Sequence, residues 1–253
     1  MDHFERFARL HSPGNPLLLA NVWDAGSAKL VEQSGSKAIA TSSAAVALSM
    51  GYEDGENLPF ELLLETVIRI KKTISLPLSV DIERGYSNDT REIIQNIERL
   101  CDVGVAGINI EDSTADGKLQ EAGLFEKKLL AITEHLAQNK QRIFINARTD
   151  AFLLKIPDAL SETKMRMQLY ERAGANGIFV PFITDVNDVR EVVNSTMLPV
   201  NVLSVPQVTD IVELTALGVA RISMGSFFYR SVNKEMINKL LAIQQDSSFK
   251  HLF

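Results

Sequence analysis

Short apolar runs recur along this chain at nearly even spacing, and each is followed by a stretch of helical periodicity. Residues 17–22, 38–42, 78–83, 107–112, 142–146, 177–181, 200–204 and 221–224 read as strands buried on both faces, the kind a parallel sheet requires. Amphipathic stretches follow them over residues 25–33, 61–73, 90–102, 124–139, 158–173, 185–194, 207–217 and 234–244. Gly35, Gly104, Gly174 and Gly218 stand where a helix ends and a strand follows, the usual place of a helix stop signal. The spacing predicts about eight βα units, and 253 residues suit an α/β fold of the single (β/α)₈ TIM barrel kind spanning residues 1–253. A doubly wound open sheet is the competing architecture, with fewer strands and a glycine-rich first βα turn. Here that turn reads Trp23-Asp24-Ala25-Gly26-Ser27, without the GxGxxG spacing, and the barrel is preferred.

Several of the runs end in charge. Leu78-Ser79-Val80-Asp81-Ile82-Glu83, Ile108-Asn109-Ile110-Glu111-Asp112 and Phe144-Ile145-Asn146-Ala147-Arg148-Thr149-Asp150 share this form. A parallel barrel collects such ends on one face, where its active site lies. Burying several charges at corresponding positions is costly unless something pairs them, so the pattern points to an enzyme that uses a metal. Asp81 and Glu83 are two apart and are expected on one side of a strand. With Glu111 they form a cluster of like charges that needs a cation. Oxygen ligands without nearby His or Cys select Mg²⁺, with Mn²⁺ as a second choice, and Mg²⁺ keeps several waters. Some of these acids would therefore hold metal-bound water rather than the metal. Arg148 offers a planar fork to a substrate carboxylate, or an internal counter-charge to the acids. Asp112 and Asp150 are candidates for helix N-caps instead. Trp23 suits a pocket wall or ordinary packing.

The composition narrows the partners. Apolar residues make up 45% and charged residues 23%, as in ordinary globular proteins. A net charge of −6 without a basic cluster argues against nucleic acid or an anionic membrane as partner. The single Cys101 leaves no intrachain disulfide and no cysteine-rich zinc site. Residues 1–6 lack the apolar core of a signal peptide, and no stretch approaches the roughly 20 apolar residues of a bilayer span. A reduced, cytoplasmic location is expected.

Six segments, in order, resemble the isocitrate lyase and phosphoenolpyruvate mutase superfamily. They are Val22-Trp23-Asp24-Ala25, Thr41-Ser42-Ser43, Ser49-Met50-Gly51-Tyr52-Glu53-Asp54, Asp81-Ile82-Glu83-Arg84-Gly85-Tyr86, residues 104–112 and Asn146-Ala147-Arg148-Thr149-Asp150. The resemblance implies a (β/α)₈ barrel with Mg²⁺ chelating an α-keto acid or its enolate. It places Asp81 and Glu111 around the metal with Asp54 and Glu83 close by. It gives Ser42, Ser43 and Ala44 the substrate carboxylate, largely through backbone N–H groups, and Arg148 the pairing with substrate. It also implies a homo-oligomer, a tetramer, with the C-terminal helix (about residues 230–245) exchanged between subunits. The alternative for that helix is that its stripe of Met236, Ile237, Leu240, Leu241 and Ile243 covers its own barrel.

One departure is informative. The lyase branch carries Lys-Lys-Cys-Gly-His on the loop after strand four, whereas residues 113–123 here contain neither Cys nor His. Nor does this loop show the Asn-Ser-Leu-type segment of the mutase and of phosphonopyruvate hydrolase. Cys101 precedes strand four and cannot substitute. The expectation is an Mg²⁺-dependent enzyme acting on a small α-keto acid or 2-hydroxy carboxylate through an enolate, by C–C cleavage or decarboxylation. The candidate catalytic residues are Arg148, Glu111 and Asp54, with none of them assigned as the general acid or base. The alternatives are C–P chemistry on phosphonopyruvate or phosphoenolpyruvate, and a non-catalytic α-oxo acid binding protein.

Overall fold

Side chains along the strands sort alternately into two apolar clusters, and this sorting closes the sheet. Leu17 and Leu19 join Ala38, Ala40 and Phe144 in one cluster. Their neighbours Ala20, Val22, Ile39, Ile145 and Ile178 belong to a larger one that includes the helices. With a side-chain period of two, a strand apolar on both faces must have something apolar on each side, and a barrel provides both.

The computed structural model describes residues 3–253. The strands are β1 (Leu17–Val22), β2 (Ile39–Thr41), β3 (Leu78–Asp81), β4 (Gly107–Glu111), β5 (Phe144–Arg148), β6 (Gly177–Val180), β7 (Val200–Leu203) and β8 (Arg221–Ser223). Each pairs in parallel with the next, and β8 closes on β1 with Leu17 opposite Arg221. The helices are α1 (His3–Ala8), α2 (Ala25–Gln33), α3 (Ser43–Ser49), α4 (Phe60–Thr73), α5 (Thr90–Asp102), α6 (Ala122–Gln138), α7 (Ala159–Arg172), α8 (Val186–Asn194), α9 (Ile211–Ala216) and α10 (Phe227–Asp246). A 3₁₀ turn, Phe249–Leu252, follows. Gly35, Gly104, Gly174 and Gly218 have φ between +77° and +88°, the left-handed conformation that ends these helices.

The (β/α)₈ barrel is thus as expected, with local differences. β5 runs two residues later than residues 142–146, because Arg142 leaves the strand to pair with Glu5 of α1 at 2.9 Å. Ser43–Ser49 is a helix where a loop was expected; Ser42 caps it, its Oγ accepting the Ala45 N–H at 3.3 Å. α10 begins seven residues before the expected 234. α1 has no counterpart among the expected elements. It stoppers the barrel opposite the strand C-termini, inserting Phe7 among Leu17, Leu19, Ala106 and Phe144. Gly107 makes room for it, since a Cβ there would lie 2.7 Å from Phe7 Cε1.

Candidate active site

The inward positions of β1 to β8 turn polar toward the strand C-termini, and there they enclose a cavity of about 240 Å³. It is lined by Ser42, Ser43, Ala44, Asp54, Asp81 and Arg148. Leu153, Phe179, Phe182, Leu203 and Phe227 add apolar surface to it, and Arg230, Asn21, Asn109, Ser223 and Ser226 add further polar groups.

Asp81 is the last residue of β3. Its N–H donates to Thr41 Oγ1 at 2.9 Å, and its Oδ2 accepts from the Ser43 hydroxyl at 3.0 Å. Its Oδ1 is buried without a hydrogen-bond partner. Burial pushes the Asp81 carboxyl up to about 6; Arg148 opposes the rise, while Glu111 and Asp54 add to it.

Glu83 does not continue β3. Its φ of +50° turns the chain, so Asp81 and Glu83 do not share one face of an extended strand. The Glu83 carboxylate instead accepts the Glu56 N–H at 3.0 Å and the Tyr86 hydroxyl at 3.3 Å. It is buried and pushed up to about 8, by burial first and then by the charges of Asp81, Asp54 and Glu111. Glu56 returns the contact: one carboxylate oxygen accepts the N–H groups of Arg84 and Tyr86, both at 2.8 Å. The loops after β2 and β3 are thereby tied together.

Glu111 ends β4 opposite Arg148 of β5 in the ladder. Arg148 Nη1 lies 2.8 Å from Glu111 Oε2, and Nε and Nη2 fork onto Asp150 at 2.6 and 3.0 Å. Burial alone would lower the Arg148 pKa, but Glu111, Asp150 and Asp81 outweigh it and keep the guanidinium charged. The internal ion pair and the cavity wall are both realised in this one residue.

Asp112 and Asp150 cap no helix; α6 is capped by Glu121, and Asp158 holds the N-cap position of α7. Asp112 is fully buried and accepts from Arg166 Nη1 at 3.0 Å, from Tyr170 Oη at 2.6 Å and from the Asp150 N–H at 2.9 Å. Arg166 Nη2 donates to the Gln120 carbonyl at 2.8 Å, which anchors the loop after β4. Asp24 is the N-cap of α2, bonded to the Ser27 N–H at 2.7 Å. Trp23 packs edge-on against Tyr229, 4.9 Å between ring centroids, and lines a neighbouring hollow rather than this cavity.

The cavity also gathers residues the sequence pattern did not single out. Asn21 sits inside an apolar run, and its Oδ1 accepts the N–H groups of Met224 and Gly225 at 2.9 and 2.8 Å. A buried amide interrupting a strand is a readable signal; Arg230 and Phe182, on segments beyond β8 and β6, carry none.

Among the described residues, no three Asp, Glu, His or Cys side chains converge on one preformed metal cage. The donors nevertheless fit Mg²⁺, which takes one or two carboxylates and keeps its waters. Asp81 Oδ1 is uncommitted, and the exposed Asp54 lines the same cavity. Glu83 and Glu111 are engaged by Glu56, Tyr86, Ser113 and Arg148.

Comparison with known proteins identifies the family. The family model described as phosphoenolpyruvate phosphomutase matches residues 7–244. The chain is 37% identical over 223 residues to the uncharacterized protein Rv1998c of Mycobacterium tuberculosis, covering 88% of this chain and 83% of that one. It is 28% identical over 211 residues to 2-methylisocitrate lyase of Escherichia coli, covering 76% and 69%. A crystal structure from Burkholderia cenocepacia J2315, described as phosphonomutase-like, superposes with a TM-score of 0.88 at 36% identity, covering 92% and 97%. The chain belongs to the phosphoenolpyruvate phosphomutase family, within the isocitrate lyase and phosphoenolpyruvate mutase superfamily of enzymes.

Proposed function

We propose that this chain is an Mg²⁺-dependent lyase that breaks a C–C bond beside a 2-oxo or 2-hydroxy carboxylate by way of an enolate. The observation that carries the reading is the meeting in one small cavity of an acid with an uncommitted oxygen, Asp81, and a cation held in place, Arg148. When bound, Mg²⁺ supplies a Lewis acid for the oxygens of the substrate. Asp81 and Asp54 hold it, while Glu83 and Glu111 orient what surrounds it. The Ser42–Ala44 segment takes the substrate carboxylate, as the resemblance implies. Arg148 stays charged and stabilises the negative charge that builds on the enolate oxygen. Glu111 and Asp150 keep its fork from swinging away.

C–C cleavage is the leading reading and C–P chemistry the alternative, since Arg230 lines the cavity together with Leu153, Phe179, Phe182, Leu203 and Phe227. The experiment is a panel of oxaloacetate, substituted malates and phosphonopyruvate, each with Mg²⁺ or EDTA, followed by NMR. Mg²⁺-dependent pyruvate formation from a C4 acid is the expected result. Turnover of phosphonopyruvate alone would reassign the chemistry, and binding without turnover would make the protein a sensor of oxo acids. The same reading includes a homo-oligomer, supported by the apolar face that α10 leaves open.

A further inference from the structure

A second hollow adjoins the cavity and shares three of its walls. This groove, about 690 Å³, is bounded by Leu153, Phe182 and Phe227, which also line the cavity. It continues over Phe152, Ile156, Val205 and Pro206. Its floor is a small apolar cluster in which Phe179, Leu203 and Val205 pack together with Phe227 and with Val208, which also touches the main barrel core. Two of the three buried members of that cluster, Phe179 and Leu203, face the cavity, and the third, Val205, faces the groove. Among the described residues, Lys155 is the only formally charged one lining the groove, and no carboxylate lines it.

Phe182 stands where the two spaces meet. It is 41% exposed and has φ +61°. A bulky residue in the left-handed region is an outlier, and such strain concentrates where a side chain must be aimed. Here it aims an aromatic ring at the boundary instead of into a core.

We propose that the substrate's 2-oxo or 2-hydroxy acid head carries an apolar substituent, which leaves the catalytic cavity past Phe182 and lies in this groove. The inference rests on the reading of the head-group site given above and adds the chemical class of the rest of the molecule. An oxo-acid head is recognised by Asp81, Arg148 and the Ser42–Ala44 segment; an alkyl or aryl tail is recognised by desolvation along Leu153, Ile156 and Phe227. A tricarboxylate would bring a further charged group against these apolar walls, with Lys155 as the one formal charge lining the groove to face it.

The test is isothermal titration with Mg²⁺ and a series of straight-chain 2-oxo acids: pyruvate, 2-oxobutyrate, 2-oxohexanoate and 2-oxooctanoate. Affinity is expected to rise about three- to fourfold per methylene that enters the groove, the factor for removing one CH₂ from water. Ile156→Asp, at a partly exposed position, is expected to collapse the ratio of 2-oxooctanoate to pyruvate affinity at least tenfold, with its thermal melt showing a folded barrel. Pyruvate binding with affinity flat or falling along the series would overturn the tail site and leave the head-group reading standing. No binding by any member would overturn both. Binding of 2-oxooctanoate that survives EDTA would mean apolar adsorption detached from the site, and would also overturn the proposal.

Discussion

The guanidinium of Arg148 reaches the cavity gripped from two sides, by Glu111 at 2.8 Å and by the Asp150 fork at 2.6 and 3.0 Å. Lysine cannot satisfy both, because its single ammonium lacks the planar fork. Arg148→Lys should therefore lose at least tenfold in Mg²⁺-dependent oxalate affinity by titration calorimetry, and about 1–3 kcal/mol of stability in denaturant melts as a buried carboxylate loses its partner. Unchanged oxalate affinity would remove Arg148 from the binding site. Asp81 calls for the opposite pattern. Its carboxyl is crowded by Glu111 and Asp54 and pushed up to about 6 by burial, so Asp81→Ala relieves repulsion. That variant is expected to keep its melting temperature within a few degrees and to abolish Mg²⁺-dependent oxalate binding; retained binding would refute the metal assignment. Asp81, Arg148, Ser42 and Ser43 were legible in the sequence because a position at or just after a strand end sends a side chain toward this face, and Asp54, on the loop between α3 and α4, through the resemblance. Glu83 was not placed correctly, since the turn at φ +50° breaks the period-two rule on which its position was inferred. Phe182 and Arg230 were invisible because what brings them to the cavity is the path of the chain after β6 and β8, which local periodicity does not encode.

At the scale of elements, the barrel's strands follow from apolar runs, and its stops from four glycines that adopt positive φ. The elements missed are those whose reason lies in tertiary contacts. α1 is six residues long and exists as a stopper for the barrel floor; α3 is an Ala-rich turn of helix continuous with β2. Each has a consequence. At the floor, His11 stacks on Phe144 at 4.4 Å between ring centroids, and its Nε2 is buried without a partner. Burial, then the Arg221 charge, lowers its pKa from 6.5 to about 3. Protonation thus favours the unfolded chain, and stability is lost as pH falls below about 6.5 toward 3, by at most roughly 1.4 kcal/mol per pH unit. Denaturant melts between pH 4 and 7 should show a shallower acid limb for His11→Asn than for the parent chain; parallel limbs would disprove the buried neutral imidazole. On the outer side, α7 carries Arg166 against the fully buried Asp112. Arg166→Leu leaves that carboxylate without its cation and is expected to cost about 3–5 kcal/mol. Asp112→Asn in the same chain should recover part of the loss, and no recovery would show that Arg166 acts through Gln120 and Glu162 instead.

At the scale of the whole molecule, α10 leaves a large apolar stripe without cover. α10 is 20 residues long and has no buried residue. Met236, Ile237, Leu240 and Leu241 are each more than half exposed, and Val232 and Phe228 extend the stripe one and two turns toward the helix start. Spacings of three and four residues put these side chains on one face. The alternative, that the stripe covers its own barrel, is excluded by the exposure itself. An exposed apolar face of this kind marks an interaction site, and a closed homo-oligomer satisfies it with a second copy of the same stripe. Light scattering at micromolar concentration is therefore expected to give a multiple of the chain mass, four being the number the resemblance implies. The double variant Ile237→Glu with Leu240→Glu should shift the mass to that of one chain, because each new charge would have to be desolvated in the contact. Near-ultraviolet circular dichroism should be largely retained, since neither residue packs into the barrel core. A parent chain that is monomeric refutes the assembly outright. A dimer refutes the tetramer while keeping the α10 contact, and a variant that stays assembled moves the contact to another face of the barrel.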